Sequence, residues 1–224
     1  MAASRRGVSK AALVYEDLRA AIVDLALKPG TRLDREEICV RLGISRQPLA
    51  EAVARLSSER LVDVEPQKGT FVARIRLSDV IEASFVRRAL EVATTAVIAA
   101  GMDDAILGRL DRVLAHQATS QTAQDWEEFY ALDVRFHSML FERIAMSRVT
   151  AGVEMSRAPL ERARRLLVPT PGRSQETLDE HRAIHAALVA RDGEAAGAAM
   201  GEHLDRALAE IRRFASRRPD LFEP

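Results

Sequence analysis

Leu42-Gly43-Ile44-Ser45-Arg46-Gln47-Pro48-Leu49-Ala50-Glu51-Ala52 decides how the first third of this 224-residue chain is read. Gly43 suits the position just past a helix end, where the left-handed backbone is easiest without a Cβ. Ser45 is a natural N-cap, and Leu49, Val53 and Leu56 then recur on one apolar helix face. One helix ends, the chain turns, and another begins. Working back, Ile38 and Leu42 share a face of the helix before the turn. Val14, Leu18, Ala21, Ile22 and Leu25 trace a still earlier helix, which Lys28-Pro29-Gly30 stops. Working forward, Leu61-Val62-Asp63-Val64-Glu65 alternates, Pro66-Gln67-Lys68-Gly69 is turn chemistry, and Thr70-Phe71-Val72 is β-branched and aromatic. That predicts a hairpin. Three short helices and a hairpin over residues 9–76 form the pattern of a winged helix-turn-helix.

Beyond Arg76 only helical periodicity remains. Ser78 is placed to cap a helix running to about Gly101, and further helices are expected near 103–120, 124–146, 148–167, 174–191 and 192–216. Gly101, Pro169-Thr170-Pro171-Gly172 and Asp192-Gly193 punctuate them. The expected fold is mainly α: the winged domain, then an all-α bundle of six to seven helices over residues 77–216, then a fraying tail at 217–224.

Composition narrows the class of protein. With 47% apolar and 29% charged residues the chain has core enough to fold and too little bias to be disordered. A single cysteine, Cys39, makes no internal disulfide, so a reducing cytoplasm is the expected location. Arg5, Arg6, Lys10, Glu16 and Asp17 interrupt every early apolar run, leaving no signal-peptide core. The uncharged stretch from Val92 to Met102 falls well short of the roughly 20 residues of a membrane span, so no membrane partner is expected. The net charge of zero hides an asymmetry: residues 1–76 carry 14 Lys and Arg against 10 Asp and Glu, and the remainder 19 against 23. A polyanion would therefore meet the N-terminal third.

The chemistry at the start of the third helix fits that partner. A major groove admits one helix while the preceding one braces on the backbone. Arg46 can fork onto guanine or hold a phosphate, Gln47 can pair with adenine, and Ser45 can reach a phosphate. Lys68, at the hairpin tip beside Gly69, is placed for the backbone or the minor groove. Taken singly, Arg46 and Lys68 are equally ordinary surface charges; their joint placement favours DNA.

Residues 13–73 resemble the DNA-binding domain of the GntR superfamily of bacterial transcription regulators. The matching residues are Tyr15-x-x-Leu18-x-x-x-Ile22, Pro29-Gly30-x-x-Leu33, Leu42-Gly43-Ile44-Ser45-Arg46-x-Pro48-Leu49-x-Glu51-Ala52 and Gly69-Thr70-Phe71-Val72. The resemblance implies that Arg35, Ser45, Arg46, Gln47, Lys68, Gly69 and Thr70 face double-stranded DNA, and that a homodimer reads a closely spaced inverted repeat. Three positions depart from the pattern. Ala50 stands where Arg is usual, Arg60 where Gly is usual, and Arg35-Glu36 reverses the usual pair.

A second constellation lies in the helical part. Asp133 and His137 are four residues apart on one helix, so their side chains lie on one face, and His181 and His203 follow on later helices. Three imidazoles and a carboxylate suit zinc, nickel or another first-row divalent ion. His181 with His185, one turn apart, is a rival pair. Residues 78–215 resemble the FCD effector domain of the FadR-type branch, whose Asp-x-x-x-His and two later histidines fall on Asp133, His137, His181 and His203. The same resemblance places an effector-binding arginine at Arg87, four residues before Glu91, and has Ser147 where Asn is common. It implies a ligand-responsive regulator: a repressor released by a small carboxylate metabolite bound at the metal. The alternatives are a metal-dependent hydrolase, which would leave the DNA module unexplained, and a regulator whose metal is purely structural.

Overall fold

Helix α1 (Lys10–Val23) starts under Ser9, whose hydroxyl accepts from the Ala12 amide at 3.1 Å. It stops at Val23, earlier than the Pro29-Gly30 signal suggested, because Leu25 takes a left-handed backbone (φ 63°) and Leu27 turns back to donate to the Ala21 carbonyl at 2.8 Å. This computed structural model describes residues 9–142 and 146–223. Strand β1 (Arg32–Leu33) leads into α2 (Arg35–Leu42), capped by Asp34, which accepts from the Glu36 and Glu37 amides. Gly43 ends α2 with φ 62°, and α3 (Arg46–Ser58) follows from Ser45, which occupies the N-cap position without a side-chain capping bond.

The hairpin is β2 (Val62–Glu65) and β3 (Gly69–Val72), antiparallel, with Val62 opposite Val72 and Glu65 opposite Gly69. β1, too short for a periodic signal, pairs on the other side of β3 and makes the sheet three-stranded in the order β1-β3-β2. Val14, Leu18, Ile22, Leu49, Val53, Leu56, Val62 and Val72 close one core beneath it. Burying that many aliphatic side chains, at roughly 1.5–3 kcal/mol each, is what offsets the chain entropy of so small a unit.

The end of the chain corrects the expectation of a frayed tail. Phe222–Glu223 forms β5, parallel to β4 (Ile75–Arg76); the Ile75 amide donates to the Leu221 carbonyl at 2.9 Å, and Leu221 and Phe222 are buried. Two apolar side chains and a backbone ladder give this segment a reason to order. It therefore belongs to the N-terminal unit: the described residues up to Arg76 with those from Arg218 form one compact unit, and Leu77–Arg217 the other.

The described residues of the second unit form six helices: α4 (Leu77–Ala99), α5 (Asp104–Ala123), α6 (Trp126–Phe141), α7 (Ser147–Leu167), α8 (Arg173–Val189) and α9 (Gly193–Arg217). Ser78 lies inside α4, which begins a residue earlier, and is not its cap. Asp103 and Asp125 cap α5 and α6 through the Ala105 and Glu128 amides. The expected helix at 124–146 ends at Phe141; residues 143–145 lie outside the described residues. Helix α4 packs against α7 and α9, α5 against α6 and α8, and α8 against α9. One glycine ladder sets the α4–α9 distance. A Cβ at Gly193 would come within 2.6 Å of the Ala96 carbonyl, and one at Gly197 within 3.2 Å of the Ala96 side chain. Farther along α9, His203 enters the core, where its Nε2 faces His137 of α6 at 3.2 Å.

Candidate nucleic-acid interface and metal centre

In the N-terminal unit the expected DNA residues fall into two groups. Arg46 projects from the first turn of α3, its side chain 85% exposed, and donates to Glu36 at 2.8 Å. Gln47 beside it donates to Glu51 at 3.3 Å, and Lys68 at the hairpin tip is 2.9 Å from Glu65. Ser45 precedes Arg46 at the cap position of α3, and Arg35 opens α2 next to Glu36, the residue that Arg46 bonds. Gly69 has φ 132°, a conformation that side chains resist, and Arg32 of β1 lies against it. Thr70 differs from the expectation. It is 3% exposed in the central strand, so its side chain packs inward and is closed to a polyanion. Arg46, Gln47 and Lys68 are thus each partnered by a glutamate carboxylate on a solvated surface, where such pairs are worth little and exchange easily. The sequence named the charged residues but not these partners.

In the helical unit all four expected ligands converge. Asp133 and His137 project from α6, His181 from α8 and His203 from α9, and a ligand atom from each lies within 4.8 Å of every other. All four are buried. His185, the rival, points elsewhere: its Nε2 donates to the Leu107 carbonyl at 3.2 Å.

The outward nitrogen of each histidine is held. His137 Nδ1 lies 2.7 Å from Glu91 Oε2, His203 Nδ1 lies 2.7 Å from Glu180 Oε2, and His181 Nδ1 lies 3.0 Å from Gln117 Oε1. Those acceptors require Nδ1–H, which leaves each Nε2 as a lone pair facing inward. His137 Nε2 and His203 Nε2 face each other at 3.2 Å. His181 Nε2 has no hydrogen-bond partner and lies 3.6 Å from Asp133 Oδ1. Three lone pairs and a carboxylate turned on one another in a dry core repel, unless a cation sits among them. The residues therefore fit a bound metal ion.

A further ring of charge steadies this cluster. Arg87 of α4 donates to Glu91, Arg164 of α7 to Asp133, and Arg173 of α8 forks onto Glu180 at 2.7 and 3.1 Å. Burial alone would raise the Glu91 carboxyl, but Arg87 and His137 outweigh it and hold it well below the carboxylate range. For Asp133, burial again opposes ionisation and Arg164 overrides it. Burial, resisted by Glu91, brings His137 down to about 4, and pushes His181 and His203 down as well. The imidazoles are neutral and the carboxylates ionised, as ligands must be. Arg87 is where the expectation placed it but is 4% exposed and already bound to Glu91. Glu180, Gln117, Arg164 and Arg173 were not singled out. Only Gln117 carries a signal, an amide on the apolar side of α5; the others become visible once α7 and α8 are placed.

Among the described residues no helix is long and apolar enough to cross a membrane. Comparison with known proteins bears on both units. Residues 10–72 match the family model described as bacterial regulatory proteins, gntR family, and residues 82–206 match the FCD domain model. An HTH-type transcriptional regulator in an unstable DNA locus of Streptomyces ambofaciens is 33% identical over 93% of this chain and 88% of its own. The HTH-type transcriptional repressor RspR of Escherichia coli K12 is 30% identical over 93% and 92%. Among solved structures, a putative transcriptional regulator GntR from Rhodococcus sp. RHA1 superposes with a TM-score of 0.73 at 28% identity, over 92% of this chain and 99% of that one. With a winged domain that exposes Arg46 and Lys68, a helical domain that closes on three histidines, and both halves matched in order, the chain belongs to the GntR family as a DNA-binding transcription regulator with an FCD effector domain.

Proposed function

We propose that this regulator is a cytoplasmic homodimer that represses transcription from an inverted-repeat operator and is released by a small carboxylate metabolite bound at a divalent ion, zinc before nickel or another first-row metal. It is a sensor and not an enzyme. The observation that carries the reading is the set of three inward Nε2 lone pairs, each fixed by an acceptor at its Nδ1 and gathered with an Asp133 oxygen within 4.8 Å of one another. A bound ion would supply open coordination positions for the effector's oxygens. Asp133, His137, His181 and His203 would hold it; Glu91, Glu180 and Gln117 would orient the imidazoles. At the other unit, Arg46 and Gln47 would read base edges while Arg35, Ser45, Lys68 and the Gly69 backbone follow the phosphates. A twofold protein reads a twofold site, which is why two winged domains imply an inverted repeat.

A second reading keeps the metal but makes it purely structural. All four ligands are buried, as in closed structural sites. Operator titration separates the two. Zinc content is measured by mass spectrometry in wild type and His203→Ala, and operator affinity and melting temperature are followed with and without chelator. The sensor reading expects His203→Ala to lose zinc, and a carboxylate to change operator affinity only in zinc-loaded wild type. A melting temperature that falls on chelation, with no carboxylate ever changing operator affinity, would establish the structural site instead.

A further inference from the structure

The buried network around the four ligands is charge-balanced before any ion enters. Among the described residues, the buried or largely buried charged groups paired with them are three arginines, Arg87, Arg164 and Arg173, and three carboxylates, Glu91, Asp133 and Glu180. At its solvent edge Glu176 touches Arg173, and Arg206 approaches Glu180 while pairing with Glu202, so this exposed rim carries one negative charge in excess, where water and salt screen it. Each histidine donates from Nδ1–H to its acceptor and leaves Nε2 as a lone pair, and so adds no charge. A divalent ion therefore adds two positive charges that no buried side chain of the network compensates, in a place where an unpaired charge costs far more than in water. A monoanion removes one of them, and a dianion removes both.

The surroundings divide cation from anion. On one side an open cleft of about 420 Å³ reaches His203 between α8 and α9, walled by Glu176, Asp179, Glu180 and Glu202 with Arg206 alone opposing them. That lining draws in a cation and turns an anion away. On the other side Asp133 and His203 border a small cavity flanked by Arg164, Leu167, Arg173 and Thr177. It encloses about 30 Å³, room for one water, so a ligand there must displace existing contacts. Arg164 is the contact suited to exchange. It holds one oxygen of Asp133 while the other faces His181, and its remaining N–H groups are able to fork onto a second carboxylate.

Building on the reading above, that a carboxylate meets a divalent ion here, we propose that the effector is a small dicarboxylate: one carboxylate on the ion, the other on Arg164. Arg164 is then the residue that sets preference for two charges over one. It comes from α7, which contributes no metal ligand, so effector binding adds α7 to the elements the ion holds.

Calorimetry on the zinc-loaded full chain, at fixed pH and ionic strength, tests this with succinate and malonate against butyrate and acetate, and with sulfate as a compact dianion. The dicarboxylates are expected to bind at least about tenfold tighter than the monocarboxylates and tighter than sulfate. In Arg164→Gln, compared with wild type at equal zinc occupancy, the advantage should shrink to about threefold or less, and Arg164→Lys, which keeps the charge but loses the planar fork, should retain only part of it. Equal binding of mono- and dicarboxylates by wild type would overturn the dicarboxylate while leaving the carboxylate reading intact. Sulfate matching succinate would also overturn it. An undiminished advantage in Arg164→Gln would overturn the role of Arg164. If no carboxylate binds the zinc-loaded protein, the underlying reading falls and this one with it.

Discussion

Arg46 and His203 are both polar residues on helices, and each is hydrogen-bonded to a glutamate, yet the two bonds have opposite consequences. Arg46 and Glu36 are 85% and 79% exposed, so water competes for both and the arginine is free to change partner. His203 and Glu180 are buried, so water competes far less for either. The winged unit keeps its polar groups where they exchange at little cost; the helical unit fixes its own in one protonation state and one orientation. A surface that must slide over many DNA sequences needs the first arrangement, and a site that must hold an ion needs the second.

Truncating the buried network breaks the comparison most severely. Glu91→Ala leaves Arg87 and the His137 Nδ1–H without their acceptor in a dry core and should destabilise the helical unit by about 3–5 kcal/mol. Arg46→Ala, measured by the same thermal unfolding, should change nothing beyond about 0.5 kcal/mol. If the two variants melt alike, burial is not what distinguishes the sites.

Acid sharpens the contrast. In ion-free protein the folded state keeps His137 neutral down to about 4, whereas the unfolded imidazole takes its proton near 6.5. The unfolded state thus binds more protons between those values. The contribution is complete above about 6.5 and lost as the pH falls through this window toward about 4. His181 and His203 shift in the same direction. Residues 1–76 contain no histidine. Chelator-treated protein unfolded at a series of pH values should show a helical unit that weakens across this window and a winged unit that does not; a helical unit indifferent to pH there would contradict the neutral imidazoles.

The smallest effects belong to the exposed face. Arg46→Ala should cost roughly 1–3 kcal/mol in operator binding and relax the base preference at one position of each half-site. Lys68→Ala should weaken all sequences about equally and flatten the salt dependence by about one unit. Binding measured against salt on operator and random duplexes tells a base reader from a phosphate contact. Equal losses on both duplexes for Arg46→Ala would move it to the phosphate class.

Much of this was legible in one dimension because it rests on local rules. Gly43 and Ser45 marked the turn between α2 and α3 through backbone conformation, left-handed at the first and extended at the second, which a few neighbouring residues settle. The alternation from Leu61 marked the hairpin for the same reason, and four residues between Asp133 and His137 put them on one helix face wherever that helix packs. Residues whose role depends on a distant partner were not legible. Thr70 reads as a wing residue until β1 pairs beside it and buries it. Leu221 and Phe222 read as a loose end until β4 offers them a strand. Glu180, Arg164 and Arg173 read as three of many charged residues on helix faces. Only when the glycine ladder brings α9 against α4, and α7 and α8 pack alongside, do those charges lose their water and acquire fixed partners. Sequence spacing determined which ligands share a helix; burial, a property of the whole packed unit, decided which charges balance them.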